Sequence, residues 1–346
     1  MYHTYLTLLI PAIFAFVSTV IAIMFLMPYM LGAGVNAVDM NKRHKPTLPS
    51  GMGTALSFGF SIGVLVYIFG SSFKLYNSLA SETYLFAAVI SLLLIALVGF
   101  IDDINVKAEA QKATGMMNTR VGLKQWQKPL LTFLGAIPLI AINAGVSIIR
   151  LPFIGPVALG LFYPLIIIPL AVIFAANAFN LLGGFNGIST ATGLVVSFAL
   201  LIYSLLYGTY TGALISVVLV ATLIGFAFFD GYPAKIIPGD SFTYALGAGF
   251  VVAMILGNME SFGIIVFMPW IIEFILHVKG RFDITDLGKR RQDGTFAPPY
   301  GKKIYSWTHV IMNIKPMKEW EVTLYMTLIT LVFAILAFGM KAFHLL

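Results

Sequence analysis

Residues 84–107 read YLFAAVISLLLIALVGFIDDINVK. From Tyr84 through Ile101 there is no charged side chain, and then two aspartates stand side by side. A helix of that length rises about 27 Å, close to the ~30 Å hydrocarbon thickness of a bilayer. The apolar residues run continuously instead of alternating in ~10-residue pieces, which selects a membrane-spanning helix over an outer-membrane barrel strand. The helix then ends on two carboxylates where it leaves the hydrocarbon.

The rest of the chain repeats the first part of this pattern. Apolar blocks fall at 5–31, 53–70, 84–101, 129–146, 158–177, 188–207, 210–229, 241–257, 261–278 and 321–343. These predict about ten transmembrane helices in a single polytopic unit over residues 1–346, an all-α integral membrane protein. Pro138, Pro152, Pro156, Pro164 and Pro169 soften the fourth and fifth blocks. The first block lacks a basic leader and is longer than a signal-peptide core, so it is expected to be a retained span. Charged residues make up 10% of the chain and the mean hydropathy is +0.94, far from a soluble domain. No cysteine occurs, which removes thiolate metal sites and thiol nucleophiles. The net charge of +7 has no folded basic domain behind it, which argues against nucleic acid and for topology control and anionic lipid.

Placed on ten spans, 18 of the 21 basic residues fall on one side, against Lys74, Arg150 and Lys341 on the other. Positive charge is retained in the cytoplasm, so that side is expected to be cytoplasmic with both termini outside. The acidic residues outside the spans follow the same division, although insertion does not require it. Polar machinery thus gathers in loops 32–52, 102–128, 178–187, 230–240 and 279–320 on one face, where a secondary transporter or flippase would place it near the midplane.

Those loops hold the candidate chemistry. Asp102 and Asp103 call for a divalent cation, a cationic partner or a shared proton, or else form a solvated helix end. NAFNLLGGFNGIS from Asn177 offers the amides of Asn177, Asn180 and Asn186 and the flexible backbone of Gly184, suited to a hard cation, a nucleobase or a phosphate, or to a simple turn. DGYPAKIIPGDSFTY from Asp230 places Asp240 at the mouth of an apolar helix, as a metal ligand or an N-cap. Arg290 and Arg291 in the last loop suit a pyrophosphate or anionic lipid, and Lys45 in NKRHKPTLPSGMG adds a further cation. His309 is a candidate phosphate contact, and Glu273 and His277 share one helix face, to bind substrate or relay protons or else as a local structural pair.

Taken in order, the DD after the third span, NAFNLLGGFNGIS, PAKIIPGDSFTYALG and the basic last loop resemble the polyprenyl-phosphate N-acetylhexosamine-1-phosphate transferases over nearly the whole chain. Bacterial members carry a pattern like NxxNLxDGxDGL in the middle loop, where this chain has Gly184 and Asn186. That version and GDSFTY look closer to the dolichyl-phosphate N-acetylglucosamine-phosphotransferase branch. The histidine-rich end of the last loop is reduced here to His309, and the arginine-histidine-arginine run of the eukaryotic branch is not present as such.

The resemblance implies transfer of N-acetylglucosamine-1-phosphate from UDP-N-acetylglucosamine to dolichyl or polyprenyl phosphate, releasing UMP, in the cell membrane or endoplasmic reticulum with the active site facing the cytoplasm. UDP-N-acetylgalactosamine or a UDP-muramyl-peptide are the alternative donors, and a homodimer is compatible with it. It implies that Asp240 and Asn180 hold Mg²⁺, or Mn²⁺ in its place, that Asp102 and Asp103 are the catalytic pair, that Asn186 contacts uracil and that Lys128 contacts phosphate. A CDP-alcohol phosphatidyltransferase would also gather carboxylates on this face, but its DGxxAR run is absent.

Overall fold

The computed structural model describes residues 2–104, 109–110, 117–118, 122–146, 148–151 and 155–346. Lys107, Lys112 and Arg120 of the loop expected at 102–128 lie outside the described residues.

The protein is mostly helical. Among the described residues, six helices are long and apolar enough to cross a membrane: α1 (Tyr2–Gly32), α2 (Gly53–Ser72), α3 (Glu82–Ile104), α7 (Ile188–Leu206), α8 (Tyr210–Asp230) and α13 (Glu319–Ala342). The blocks expected at 129–146 and 158–177 are shorter and broken. The first consists of α4 (Gln127–Thr132), a 3₁₀ turn and α5 (Ile137–Ala141), the second of a π-helical turn and α6 (Ile168–Phe179). Pro129, Pro138, Pro164 and Pro169 supply the reason, since each removes a helix donor and crowds the preceding turn. The ninth block is a bent pair, α10 (Glu260–Val266) and α11 (Met268–Lys279), which meet at 56° beside Pro269.

Helix α9 (Asp240–Leu256) organises the bundle. All of its residues are buried, as befits a helix apolar on every side, and it packs against α2, α3, α6, α7 and α8. Its first turn is wedged between the end of α3 and the start of α2. A Cβ on Gly99 would lie 2.5 Å from the Asp240 carbonyl oxygen, and one on Gly53 would lie 2.1 Å from the Phe242 nitrogen. Only glycine allows such backbone-to-backbone approach. The outer flanks of α1 and α13 stay largely apolar and exposed, the surface that acyl chains cover.

The loops carry small antiparallel hairpins, including β1 (Asn36–Val38) with β2 (Thr47–Pro49). The last loop also holds more structure than its polarity suggests. A hairpin of Lys289–Arg290 with Phe296–Ala297 precedes α12 (Trp307–Ile314), whose first turn is capped by the Ser306 hydroxyl accepting the Thr308 N–H at 3.2 Å.

Candidate active site

The C-terminal ends of α3, α6 and α8 and the N-terminal ends of α4, α7 and α9 meet around one cavity of about 840 Å³. Asp102, Lys128, Asn177, Asn180, Gly184, Asn186 and Asp240 all line it. The structure therefore brings together seven residues drawn from four separate stretches of sequence.

The adjacent aspartates part company. Successive residues on a helix point about 100° apart, so both cannot face the same neighbour. Asp102 faces the cavity: its Oδ2 lies 2.7 Å from Lys128 Nζ, and its Oδ1 accepts the Leu123 N–H. Asp103 turns into the bundle, where it is 1% exposed. There Oδ1 accepts the Asp240 N–H at 2.7 Å, while Oδ2 accepts the Ser241 N–H at 3.0 Å and its hydroxyl at 2.6 Å. Asp103 is thus an N-cap supplied to α9 from another helix.

The sequence left Asp240 open as an N-cap of its own helix. Asp103 performs that task, and the Asp240 carboxylate points elsewhere: Oδ2 lies 3.1 Å from Lys128 Nζ, within hydrogen-bonding reach of the Asp102 carboxyl. Two carboxylates converge on a single lysine. Asn180 stands beside them, its Oδ1 accepting the Thr243 hydroxyl at 2.6 Å, and the Asn177 amide donates to Thr132 Oγ1 at 3.0 Å.

Mg²⁺ takes oxygen donors, and this wall presents two carboxylates and an amide oxygen. Among the described residues no three Asp, Glu, His or Cys side chains group as a metal site, and the third oxygen donor on this lining is the amide of Asn180. The donor chemistry fits a hard divalent cation bound together with a substrate's own phosphate oxygens.

Another part of the lining comes from Asn186, Gly184 and the first loop. Gly184 has φ +83°, and a Cβ there would stand 2.7 Å from Leu287 and 3.1 Å from Asp286 Oδ2. An aspartate at 184 would strain the backbone and oppose Asp286, which gives the glycine a local reason. Asp286 accepts the Gly183 N–H at 2.9 Å, and desolvation raises its pKa to about 6.

Besides Asp103, four expected residues stand off the cavity wall. Lys45, Arg290 and Arg291 are exposed on loops. His309 is fully buried behind the wall, its Nδ1 accepting the Tyr305 N–H at 3.2 Å and its Nε2 2.9 Å from the Thr285 carbonyl. Desolvation lowers its pKa to about 4, so it carries no charge for a phosphate. Glu273 and His277 do pair, with Nδ1 3.4 Å from Oε1, and Glu273 also accepts the Trp307 N–H at 2.8 Å. Sequence reading missed Asp39, Asp286 and Glu319, the last because it resembled an ordinary first-turn acid of α13.

A helical membrane protein with its polar chemistry gathered at one end of the apolar bundle is the class that this fold and cavity define. Residues 85–258 match the profile of Glycosyl transferase family 4, and the chain belongs to that family. It is 31% identical over 334 residues, 96% of both chains, to a Saccharolobus solfataricus protein provisionally named UDP-N-acetylglucosamine–dolichyl-phosphate N-acetylglucosaminephosphotransferase. A Sulfolobus acidocaldarius protein of the same provisional name is 32% identical, covering 96% of this chain and 95% of its own. The Dictyostelium discoideum protein named as that phosphotransferase is 24% identical, over 90% of this chain and 83% of its own.

Proposed function

We propose that this protein transfers N-acetylglucosamine-1-phosphate from UDP-N-acetylglucosamine to dolichyl or a related polyprenyl phosphate, releasing UMP. The observation that carries the proposal is the convergence of Asp102 and Asp240 on Lys128, with Asn180 on the lining of the same cavity, at one end of the apolar helices. The relatives' names supply the donor and acceptor.

Asp102, Asp240 and Asn180 would hold Mg²⁺. When bound, the ion supplies neutralisation of the negative charge on the donor's pyrophosphate. Lys128 adds a fixed cation to the same wall, available to phosphate oxygens as a point charge. In the reaction a lipid-phosphate oxygen bonds to the β-phosphorus of the donor, the bond from that phosphorus to the bridging oxygen breaks, and UMP leaves with that oxygen. Asp103 holds the start of α9 and so the position of Asp240.

The orientation follows from charge. Basic residues flank the cavity end of the bundle, so that end faces the cytoplasm. The bent pair α10–α11 and the three shorter apolar helices, Gln127–Ala141, Tyr163–Phe179 and Asp240–Leu256, would cross with the six long ones, giving ten spans and outward termini.

The test is release of labelled UMP from UDP-N-acetylglucosamine by purified protein, with dolichyl phosphate present or absent and Mg²⁺ present or chelated. Release that needs both lipid and metal is the expected result. Turnover only with another UDP-N-acetylhexosamine would change the donor, and silence with all such donors would overturn the proposal.

A further inference from the structure

Lys128 stands where a bridging cation would stand. Its Nζ is 2.7 Å from Asp102 Oδ2 and 3.1 Å from Asp240 Oδ2, and the two carboxylates are within hydrogen-bonding reach of each other. Asp102 Oδ1 is tied to the Leu123 N–H, and Asp103 holds the Asp240 backbone at the start of α9, so the spacing of the pair is set by the fold. A divalent cation needs the same oxygens. Mg²⁺ binds carboxylate oxygen at about 2.1 Å, so an ammonium still in contact with those oxygens would lie within a few ångströms of the ion. Like charges that close repel strongly in a site shielded from water. Two carboxylates and one lysine leave this group one net negative charge, and a divalent ion added to them would leave one net positive charge. A pyrophosphate changes the sum, because its own charges offset the surplus and it offers Lys128 other oxygens.

Tyr244 gives the displaced ammonium a place to go. It follows Asp240 by one helical turn on α9, so the two share a face, and it lines the same cavity. Its ring centre lies 5.8 Å from Lys128 Nζ, and its buried hydroxyl has no hydrogen-bond partner among the described residues. An unpaired buried hydroxyl is destabilising, and Lys128 turning about its flexible stem would pair it. Asp102, the nearer carboxylate, can keep its hold on the lysine throughout.

We propose that Lys128 keeps the cation position between Asp102 and Asp240 filled until phosphate arrives, so that the protein takes up a divalent cation together with its donor's pyrophosphate and holds the ion poorly alone. The inference rests on the functional reading above. The step is a change of partners in which no covalent bond is made or broken. Lys128 gives up Asp240, keeps Asp102, and turns its remaining donors to the Tyr244 hydroxyl and a phosphate oxygen. Metal and nucleotide then favour each other's binding, and the lysine sets part of that coupling.

The experiment measures Mn²⁺ binding to the detergent-purified chain by the spin resonance of the free ion, with and without UDP, together with the thermal transition. The unaltered protein is expected to bind Mn²⁺ weakly alone and at least about tenfold more tightly with UDP. Lys128→Met should bind Mn²⁺ alone at least about tenfold more tightly than the unaltered protein, and gain less from UDP. Lys128→Arg keeps a cation in place and should stay close to the unaltered protein. Lys235→Met removes an exposed lysine from a loop at the same end and should shift Mn²⁺ affinity by less than about twofold. Tyr244→Phe removes only the hydroxyl, so melting without metal should hold or rise slightly while Mn²⁺ affinity with UDP falls about threefold or more. A folded Lys128→Met that bound Mn²⁺ alone no more tightly than the unaltered protein, or no more tightly than Lys235→Met, would overturn the proposal. If Lys128→Met failed to fold, unchanged Mn²⁺ affinity in Tyr244→Phe would overturn it equally. Mn²⁺ binding by none of these proteins, with or without UDP, would instead break the metal assignment beneath it.

Discussion

Two lysine-centred clusters stand at the cavity: Lys128 between Asp102 and Asp240 on its lining, and Lys42 between Asp39 and Glu319, of which Asp39 alone reaches the lining. Each places two carboxylates around one ammonium and carries the same formal charge. They differ in what else the carboxylates must satisfy. Asp39 and Glu319 also serve the backbone and side chain of the Asn186 loop, so that cluster is committed to holding a neighbour in place. Asp102 and Asp240 instead lie within hydrogen-bonding reach of each other at the cavity surface, where a cation and a phosphate can enter. Identical charge sets differ here in direction: the fold turns one pair of carboxylates to the cavity, where the proposed reaction would use them, and the other pair onto a neighbouring loop.

The sharpest way to break that contrast is to remove one carboxylate from the reactive wall. Asp240→Ala and Asp102→Ala should each lower kcat for UMP release by about 10³-fold or more while the protein still inserts and melts cooperatively, because each loses a group facing the cavity. Isotope-release assays on folded protein provide the measurement. An Asp240→Ala protein that kept magnesium-dependent turnover would remove the reactive wall from the mechanism.

Asp103 separates the two behaviours within one dipeptide. It reaches the reactive wall only through the start of α9, so Asp103→Ala should lower stability by about 2 to 4 kcal/mol, as buried α9 donors lose their acceptor. Activity should fall by about 10 to 100-fold through displacement of Asp240, an effect of geometry. Asp103→Asn keeps one acceptor and should recover much of the melting temperature. If Asp103→Ala melted like the parent yet lost as much activity as Asp102→Ala, Asp103 would belong with the reacting groups.

Much of this arrangement was legible in the sequence, for reasons that differ by residue. The long apolar blocks and the DD at the end of α3 were readable because hydrophobic continuity and charge at a span boundary are local signals. The breaks in the fourth and fifth blocks were marked by their prolines. The distinct tasks of Asp102 and Asp103 were not readable, because only the packing of α9 tells which direction around α3 is the cavity. The Lys42–Glu319 pair was hidden by a sequence separation of 277 positions. His309 looked like a phosphate ligand because a lone histidine in a basic loop carries no mark of burial; α12 and the Thr285 carbonyl supply that burial in three dimensions.

His309 supplies the smallest effect and a control for both clusters. Its pKa in the folded protein is about 4, below the ordinary 6.5, so folding favours the neutral ring. That contribution is fully present above pH 6.5 and is lost as pH falls from 6.5 toward 4, amounting to no more than roughly 3 kcal/mol at the acid end. His309→Gln should therefore melt slightly below the parent at pH 7.5, by about 1 kcal/mol for imperfect replacement of its hydrogen bonds. Its melting temperature should fall less steeply than the parent's between pH 6.5 and 4.5. Because neither cluster includes the ring, KM for UDP-N-acetylglucosamine and for the lipid phosphate should stay within about twofold. A tenfold rise in the lipid-phosphate KM with unchanged melting would put His309 on the substrate, and the reactive wall would then extend into the last loop.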